Sequence, residues 1–389
     1  MKEIEYSYNF VLYKEYLIYN AIGNDIVRRA MGISIYRSCR LTLIDCEKKF
    51  VDHVLDYVAD YPIEIVQTTL DKVKSSLKCK DGDIIITHTW PDTLFKAVNI
   101  FKDCILVLIE EVPPLYDRFP RLNNKQTLLN KFLTWNPILK VITGRYRRAI
   151  HSGGIYVAIS DIEADVIKGA YDLKPDIISY DPVDDRYFNY VENERNAIMT
   201  FGSGATYSGI IDKIIKSGLF DINEIICVNI ENLETKMTIP GLKITTIKNY
   251  TFEEIRQCYA RTAISITAEN RGSFELIPIE SIMSGVPIIS PPVPSLEILQ
   301  GINRYVISYE TGNALPFFDY YQAANIAKDT DEIGQFYKWL KSSDLIRNSF
   351  STMATEIFSI SHIAKDFIYK VEKILGVNVV KNIQDLTDP

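Results

Sequence analysis

Residues 263–290 constrain the fold of this chain more than any other stretch. They contain a short β-branched run at 263–267, a glycine-containing loop, a helix-forming segment at about 278–284 and a second apolar run at 286–290. Short continuous apolar runs are typical of buried parallel strands, and Pro278 and Gly285 favour the two ends of a helix. The order strand, loop, helix, strand predicts a βαβ unit whose loop amides and helix N-terminus can hold an anion.

Glu280 adds a second recognition group to this unit. The sequence predicts it in the first turn of the helix, where its carboxylate can accept hydrogen bonds from ligand hydroxyls beside the anion. A ribose next to a diphosphate fits this chemistry. The alternative is an ordinary packing loop in which Glu280 is only a negative charge near a helix N-terminus.

The segment GSFELIPIESIMSGVPII, residues 272–289, resembles the nucleotide-sugar motif of retaining GT-B glycosyltransferases of family 4. That family has two glutamates separated by seven residues, followed by Gly-x-Pro before a strand. Glu280 matches the second glutamate, and the run 285–287 matches the Gly-x-Pro. Gly272 stands where the first glutamate would be, and Glu269 and Glu275 are the nearby carboxylates that could replace it.

The resemblance implies an α/β protein of GT-B architecture, with two doubly wound Rossmann-like domains facing across a cleft and a C-terminal helix crossing back to the N-terminal domain. A length of 389 residues also exceeds the usual single core. We expect an acceptor-side domain at 1–193, a nucleotide-sugar-binding domain at 194–350, the crossing helix at 351–375 and a tail at 376–389.

Apolar runs and turn signals elsewhere predict further elements of both domains. Strands are predicted at 16–19, 41–45, 83–87, 105–109, 155–160, 198–202, 223–228 and 242–247. Helices are predicted from about Ile26, at 50–59, from Asp161 with Ser160 as N-cap, and at 252–259 with a Thr251/Glu254 capping box. Gly23, in the turn after the first strand, would let backbone approach a ligand closely.

Three side chains that follow strands of the first domain are candidate catalytic groups. His88 follows the strand at 83–87, and Glu110 and Glu111 follow the strand at 105–109. Open α/β sheets bind ligands at the carboxyl ends of their strands, so these groups could position a hydroxyl, act as base or stabilise positive charge on a sugar. The alternatives are a structural histidine and solvated loop carboxylates.

The resemblance also assigns donor-binding residues in the second domain. Family members place a phosphate-contacting loop after the strand at 198–202, which here carries Ser203 and Gly204 but lacks the Arg and Lys usual there. Arg271 is the nearest replacement cation, and Tyr250 is a candidate to stack on the base. The remaining residues expected to hold the phosphates and sugar are Asn270, Gly272, Ser273, Phe274 and Leu276, together with Glu275 as a catalytic candidate.

Composition limits the partners and the compartment. A formal net charge of −7 argues against nonspecific nucleic-acid binding. The six cysteines lack the spacing of a zinc site or a disulfide framework, and indicate small core residues in a reducing compartment. No secretory signal or long apolar run is evident, so we expect a cytoplasmic protein. The basic run 145–148 could meet anionic lipid at the inner face of the membrane, or could be a solvated surface.

The resemblance implies a metal-independent transferase that moves a sugar from a UDP- or GDP-sugar to an acceptor hydroxyl with retention of configuration. The acceptor could be a glycan, a lipid-linked sugar or a small molecule, and the oligomeric state is left open. Two alternatives stand beside this hypothesis. One is a catalytically degenerate nucleotide-sugar-binding protein, and the other is a nucleotide-sugar epimerase of the same fold.

Overall fold

The computed structural model describes residues 6–13, 25–77, 83–89, 91–101, 103–110, 144, 147–151, 154–201, 211, 215, 221–228, 241–248, 250–267, 276–290, 317–319 and 344–376. Contacts divide the chain into two units, one formed by Met1–Pro182 with Ile360–Pro389 and the other by Val183–Ser359. The divisions therefore fall at 182/183 and 359/360, whereas the sequence analysis placed them after 193 and 350.

The first unit is built on a seven-stranded parallel sheet with the strand order β3-β2-β1-β4-β5-β6-β7. Its strands are β1 Ser7–Tyr13, β2 Ser38–Ile44, β3 Ile63–Thr68, β4 Asp83–His88, β5 Ile105–Glu110, β6 Gly154–Ala158 and β7 Ile177–Ile178. The central strands are buried along nearly their whole length, as expected for a parallel sheet with covered faces.

The first strand differs from the sequence prediction. It is Ser7–Tyr13, and the predicted strand at 16–19 lies outside the described residues. Ser7 and Asn9 interrupt the apolar run of β1 and made it less conspicuous than the later strands. Asn9 is nevertheless 2% exposed, and β1 lies in the middle of the sheet. β3 was also missed, because it is a half-exposed edge strand with alternating character.

Five described helices connect these strands: α1 Asp25–Ser34, α2 Lys48–Tyr57, α3 Val73–Ser76, α4 Pro91–Ile100 and α5 Asp161–Tyr171. The predicted cap of α5 is confirmed, since Ser160 Oγ accepts a hydrogen bond from the Glu163 amide at 3.0 Å. Apolar side chains of the helices and strands form two continuous buried clusters, around Leu108 and Tyr156 and around Ile85 and Phe101.

The second unit repeats the same topology in a six-stranded parallel sheet of order β10-β9-β8-β11-β12-β13. The strands are β8 Ala197–Phe201, β9 Glu224–Val228, β10 Lys243–Ile247, β11 Thr262–Thr267, β12 Ile288–Ser290 and β13 Phe317–Asp319. The described helices of this unit are α6 Phe252–Arg261, α7 Leu276–Met283 and α8 Asp344–Phe358. The capping box predicted for α6 is confirmed, with Thr251 and Glu254 bonded reciprocally.

The chain returns to the first unit through α9 Ile360–Ile374, which packs on α1. The two helices cross closely at Gly32, where an added Cβ would lie 2.4 Å from the Ile360 carbonyl oxygen. Arg37 pairs with Glu372 at 2.8 Å, and Lys370 Nζ donates to the Ile178 carbonyl at 2.7 Å. The single long helical run predicted at 351–375 is thus divided into α8 and α9.

Two findings bear on the expected compartment. Cys39, Cys46, Cys227 and Cys258 are free and buried, as predicted. Cys104 differs from that prediction because it is disulfide-bonded, and its partner lies outside the described residues. Across the parts of the chain that the structure describes, every helix is too short or too polar to cross a bilayer.

Candidate functional site

The order of each sheet reverses at one point, and such switch points are where open α/β sheets bind ligands. In the second unit it lies between β8 and β11, which pair in parallel over 197–201 and 262–267. β8 ends at Phe201 and β11 ends at Thr267, so the segments that follow them start at the same edge. The chain re-enters the described residues at Leu276, the first residue of α7.

Hydroxyl groups fix α7 against the strand on each side of it. Ser281 Oγ lies 2.5 Å from Ser265 Oγ of β11 and donates to the Val286 carbonyl at 2.9 Å. The Ser265 amide donates to the Pro287 carbonyl at 3.0 Å, at the start of the strand that follows the helix. These small side chains allow close packing while satisfying their own polar atoms, so the helix has one defined position beside β11.

A Schellman turn ends α7 at the predicted glycine. Gly285 has φ +70°, and the amides of Gly285 and Val286 donate to the carbonyls of Ile282 and Ser281, each at 2.9 Å. An added Cβ at Gly285 would lie 2.6 Å from Cδ2 of Tyr190.

Two arginines satisfy the carbonyls that remain free beyond this turn. Arg347 of α8 donates to the Gly285 carbonyl at 2.9 Å. Arg195 donates to the Ser284 carbonyl at 3.2 Å and to the Tyr259 carbonyl at 2.9 Å, so one side chain caps the C-terminal ends of both α7 and α6. The ends of the two helices that border the switch point are therefore tied to each other.

The structure corrects the predicted position of Glu280 within its helix. α7 begins at Leu276 instead of about Pro278, so Glu280 is the fifth helical residue and lies in the second turn. Pro278 is tolerated as the third residue because the first amides of a helix have no intrahelical acceptor. The Glu280 side chain is half-buried. Its backbone carbonyl accepts hydrogen bonds from the Ser284 amide at 3.0 Å and the Ser284 hydroxyl at 2.8 Å.

Glu280 and Tyr250 both lie near Tyr259. Burial, followed by the charges of Glu280, Tyr250 and Cys258, raises the pKa of Tyr259 well above its usual value. Tyr250 is half-buried directly before the cap of α6. Right-handed crossovers that run in the same direction along a sheet place α6 and α7 on one face, which explains why these side chains meet.

The first unit carries its polar cluster at the equivalent switch point, between β1 and β4. His88 is the last residue of β4, and its Nε2 lies 2.9 Å from Oδ1 of Asp25, the first residue of α1. Both side chains are buried, at 3% and 2% exposure. Burial alone would raise the pKa of Asp25, but His88 and Arg29 lower it to about 2. The candidate histidine is thus held by an ionised carboxylate.

Arg29 joins this pair to the end of the first unit's chain. Its guanidinium contacts Asp25 at 3.3 Å, Asp181 at 3.0 Å, and the side chain and carbonyl of Ser179 at 2.8 and 2.9 Å. Burial and the charge of Asp25 raise the pKa of Asp181 to about 7, although Arg29 opposes the shift. The neighbouring Arg28 donates to the Pro182 carbonyl at 3.0 Å. The two arginines therefore fix the segment 179–182.

Glu110 is also buried, at 1% exposure, at the end of β5. Tyr156 donates to its Oε2 at 2.8 Å, and Thr89 bonds to the same carboxyl group. Burial raises the pKa of Glu110 to about 8, even though both hydrogen bonds lower it. Glu110 is mostly protonated at neutral pH, so the predicted role of a general base or an ionised charge stabiliser is not the one its surroundings favour.

Several predicted site residues lie outside the described residues. They are Gly23, Glu111, Ser203, Gly204, Asn270, Arg271, Gly272, Ser273, Phe274 and Glu275. Within the predicted basic run, Arg147 and Arg148 are described and exposed. Arg147 pairs with Asp172 at 2.9 Å, and Arg148 donates to the Gly144 carbonyl at 3.2 Å.

The sequence analysis missed Asp25, Arg29, Tyr156 and Tyr259 as members of these clusters. The spacing of Asp25 and Arg29, four residues apart in a helix, was the one local signal available. The partners of the other residues come from strands and helices that are distant in sequence, so nothing in the local pattern identified them.

The chain matches no protein-family model and no curated protein. Its solved structural neighbours include HepE of Anabaena in complex with UDP and glucose, at 13% identity and a TM-score of 0.59, covering 96% of this chain and 100% of that one. Sucrose-phosphate synthase of Thermosynechococcus elongatus aligns at 9% identity and a TM-score of 0.57, with 96% and 100% coverage. A putative UDP-N-acetylglucosamine 2-epimerase of Listeria monocytogenes aligns at 12% identity and a TM-score of 0.52, with 95% and 96% coverage.

The chain has the GT-B fold. The prediction of two doubly wound Rossmann-like units with a final helix belonging to the first is confirmed. At these identities the likeness establishes the fold alone.

Proposed function

We propose that this protein transfers a sugar from a nucleoside diphosphate sugar to an acceptor hydroxyl. The observation that carries the proposal is the placement of Glu280 on α7, beside the switch point of the second sheet. Its side chain is half-buried near Tyr259, while the backbone at the end of the helix is fixed by capping bonds. A carboxylate held in this way can accept hydrogen bonds from the two ribose hydroxyls.

The structural neighbours support this class of ligand. HepE is described in complex with UDP and glucose, and sucrose-phosphate synthase is a second protein of the same fold. We propose a UDP- or GDP-sugar as donor, retention of configuration and no metal requirement, on the basis of the family 4 resemblance. Ser203, Gly204 and the run 270–275 would contact the phosphates and the sugar, with Arg271 supplying positive charge.

The contacts within the first unit suggest roles for its buried polar side chains. We propose that His88 contacts the reacting sugar or its acceptor and that Asp25 fixes the orientation of its ring. Glu110, largely neutral at pH 7, would act through hydrogen bonding instead of charge. The acceptor would be a glycan, a lipid-linked sugar or a small molecule.

A nucleotide-sugar epimerase is the second candidate, favoured by the likeness to the Listeria protein. A binding protein without turnover is the third, because Gly272 replaces the first glutamate of the motif. The three functions differ in their products. A transferase releases the nucleoside diphosphate, an epimerase returns a nucleotide sugar with changed stereochemistry, and a binding protein leaves the donor unchanged.

The first experiment is a calorimetric screen of the purified protein against UDP-, GDP-, ADP- and dTDP-glucose. We expect saturable binding of one donor, with an affinity about 10 to 100 times lower in Glu280→Ala, because the lost hydrogen bonds involve a charged group. Glu356→Ala, an exposed carboxylate of α8 in the same unit, should bind as the unmodified protein does.

Binding that survives unchanged in Glu280→Ala would place the donor elsewhere and refute the proposed site. Incubation of the bound donor, followed by NMR of the sugar and the nucleotide, then separates transfer or hydrolysis from epimerisation and from binding alone. Recovery of an epimerised nucleotide sugar would replace the transferase proposal with the second candidate.

A further inference from the structure

The hydroxyl of Tyr259 is a buried polar group without a hydrogen-bond partner among the described residues. The residue is 1% exposed. Its ring packs edge-on against Phe188 at 5.8 Å and lies 6.2 Å from the ring of Phe201, and its carbonyl accepts from Arg195. The ring and the backbone are therefore well fixed, while the part of the chain that the structure describes offers the hydroxyl no acceptor. Such groups are rare in proteins and call for an explanation.

Two other buried tyrosines, Tyr8 and Tyr156, show the usual arrangement. Tyr8 donates to Glu372 at 3.3 Å, and Tyr156 donates to Glu110 at 2.8 Å. Each of these hydroxyls is buried together with a carboxyl oxygen that accepts its hydrogen bond. Tyr259 stands apart from them, although it is just as deeply buried.

The surroundings of Tyr259 connect this hydroxyl with the donor site. Phe201, against which the ring packs, is the last residue of β8 at the switch point. Glu280 and Tyr250 are near enough for their charges to raise the pKa of the phenol, with burial as the larger cause. A phenol with a raised pKa keeps its proton at neutral pH, so it is an O–H donor within electrostatic range of the Glu280 carboxylate.

We propose that Tyr259 donates a hydrogen bond to an oxygen of the nucleoside part of the ligand. This oxygen would lie next to the ribose hydroxyls, which donate hydrogen bonds to the Glu280 carboxylate. This inference rests on the proposed function and adds a binding residue to that site. Glu280 can only accept and Tyr259 can donate, so together they match a nucleoside, whose sugar and base carry both hydroxyl groups and acceptor oxygens. The fixed ring means that little freedom is lost when the bond forms.

The test compares the full chain with Tyr259→Phe, using UDP and GDP as probes in calorimetry and a thermal melt without nucleotide. We expect the nucleotide dissociation constant to rise about tenfold in the variant, since one hydrogen bond is lost. The melting temperature without nucleotide should stay equal or rise, because the substitution removes a buried hydroxyl that no described residue bonds. Lower affinity without lower stability is the signature of a group that is satisfied only by the ligand.

Tyr8→Phe is the matched control, because it removes a buried hydroxyl that does have a partner. It should lower the melting temperature and leave nucleotide affinity unchanged. The inference is overturned if Tyr259→Phe binds nucleotide as tightly as the unmodified protein. It is also overturned if Tyr259→Phe melts at a lower temperature, since the hydroxyl would then be bonded within the protein. Loss of binding in Glu280→Ala with full binding in Tyr259→Phe would end this inference alone, whereas the absence of any nucleotide binding would end the proposed function with it.

Discussion

Single carboxyl groups in this protein differ in charge because their burial and partners differ. Asp25 is buried beside a histidine and an arginine, and its pKa falls to about 2. Glu110 is buried beside two neutral hydroxyl donors, and its pKa rises to about 8. Both follow strands or begin helices at the same sheet edge, so position alone does not determine the charge. The charge depends on whether the neighbouring groups outweigh burial: His88 and Arg29 do so at Asp25, whereas burial and the charge of Asp25 outweigh Arg29 at Asp181.

Glu110 should make the stability of the protein depend on pH. Its folded pKa of about 8 exceeds the ordinary value of 4.5, so the folded state binds the proton more tightly. This contribution is fully present below pH 4.5 and is lost as the pH rises to about 8, at up to about 1.4 kcal/mol per pH unit in that window. Glu110→Gln keeps the shape of the side chain but cannot titrate. Its free energy of unfolding in urea should therefore differ less between pH 5 and pH 8 than that of the unmodified protein.

Glu64→Gln provides the control for this comparison, because Glu64 is 60% exposed and pairs with Arg40 on the surface. Its stability should change with pH as that of the unmodified protein does. An equal loss of stability between pH 5 and pH 8 in Glu110→Gln and in the unmodified protein would show that Glu110 does not cause the dependence.

At the level of elements, α7 is defined more by its ends than by its length. It has eight residues, yet its C-terminus is held by a Schellman turn, by Arg195 and by Arg347. Helices of this length are marginal in isolation, so tertiary bonds determine where α7 lies. The position of Glu280 depends on those bonds.

Gly285→Ala should lower the free energy of unfolding for two separable reasons. An alanine held in the left-handed backbone conformation costs about 1 to 2 kcal/mol of stability, and crowding of its Cβ against Tyr190 costs about 1 to 3 kcal/mol more. Gly241→Ala isolates the first reason, because Gly241 has φ +88° and an added Cβ there meets nothing within 4 Å. Chemical denaturation should therefore show a larger loss for Gly285→Ala. Equal losses would mean that the contact with Tyr190 relaxes without cost.

Sequence patterns predicted the elements whose signals are local. The β-branched run of β11, the glycine that ends α7 and the Thr251/Glu254 box of α6 each carry their own cue, and each was confirmed. β1 escaped prediction because its burial depends on β2 and β4, which flank it in the sheet. The motif predicted a role for Glu280, whereas the contacts of His88 with Asp25 and of Phe188 with Tyr259 were not predicted, because the fold alone brings these residues together.

On the scale of the whole molecule, the first unit is assembled from two distant parts of the chain. α9 covers α1, whose ten residues are all buried, and α1 in turn holds the segment 179–182 through Arg28 and Arg29. The segments that precede and follow residues 183–359 in the chain are thus both held by α1. The stability of the first unit depends on contacts between residues more than 300 positions apart, such as Arg37 with Glu372 at |i−j| of 335.

Gly32→Ala should destabilise the protein although alanine normally favours a helix. An added Cβ would lie 2.4 Å from the Ile360 carbonyl oxygen and 2.8 Å from Ala364, and such overpacking costs about 1 to 3 kcal/mol. At Gly169 on α5 an added Cβ meets nothing within 4 Å, so Gly169→Ala should raise the free energy of unfolding by about 0.5 to 1 kcal/mol. Opposite signs in urea unfolding would confirm the close crossing of α1 and α9. A stabilised Gly32→Ala variant would contradict it.

The order of the chain imposes an order on biosynthesis. A ribosome releases the seven strands of the first sheet well before it reaches the helix that covers α1, and residues 183–359 are made in between. The nascent first unit therefore waits with an apolar helix face uncovered while the second unit emerges and folds. Chaperone demand during translation should be concentrated in that interval, and it should end when α9 leaves the exit tunnel.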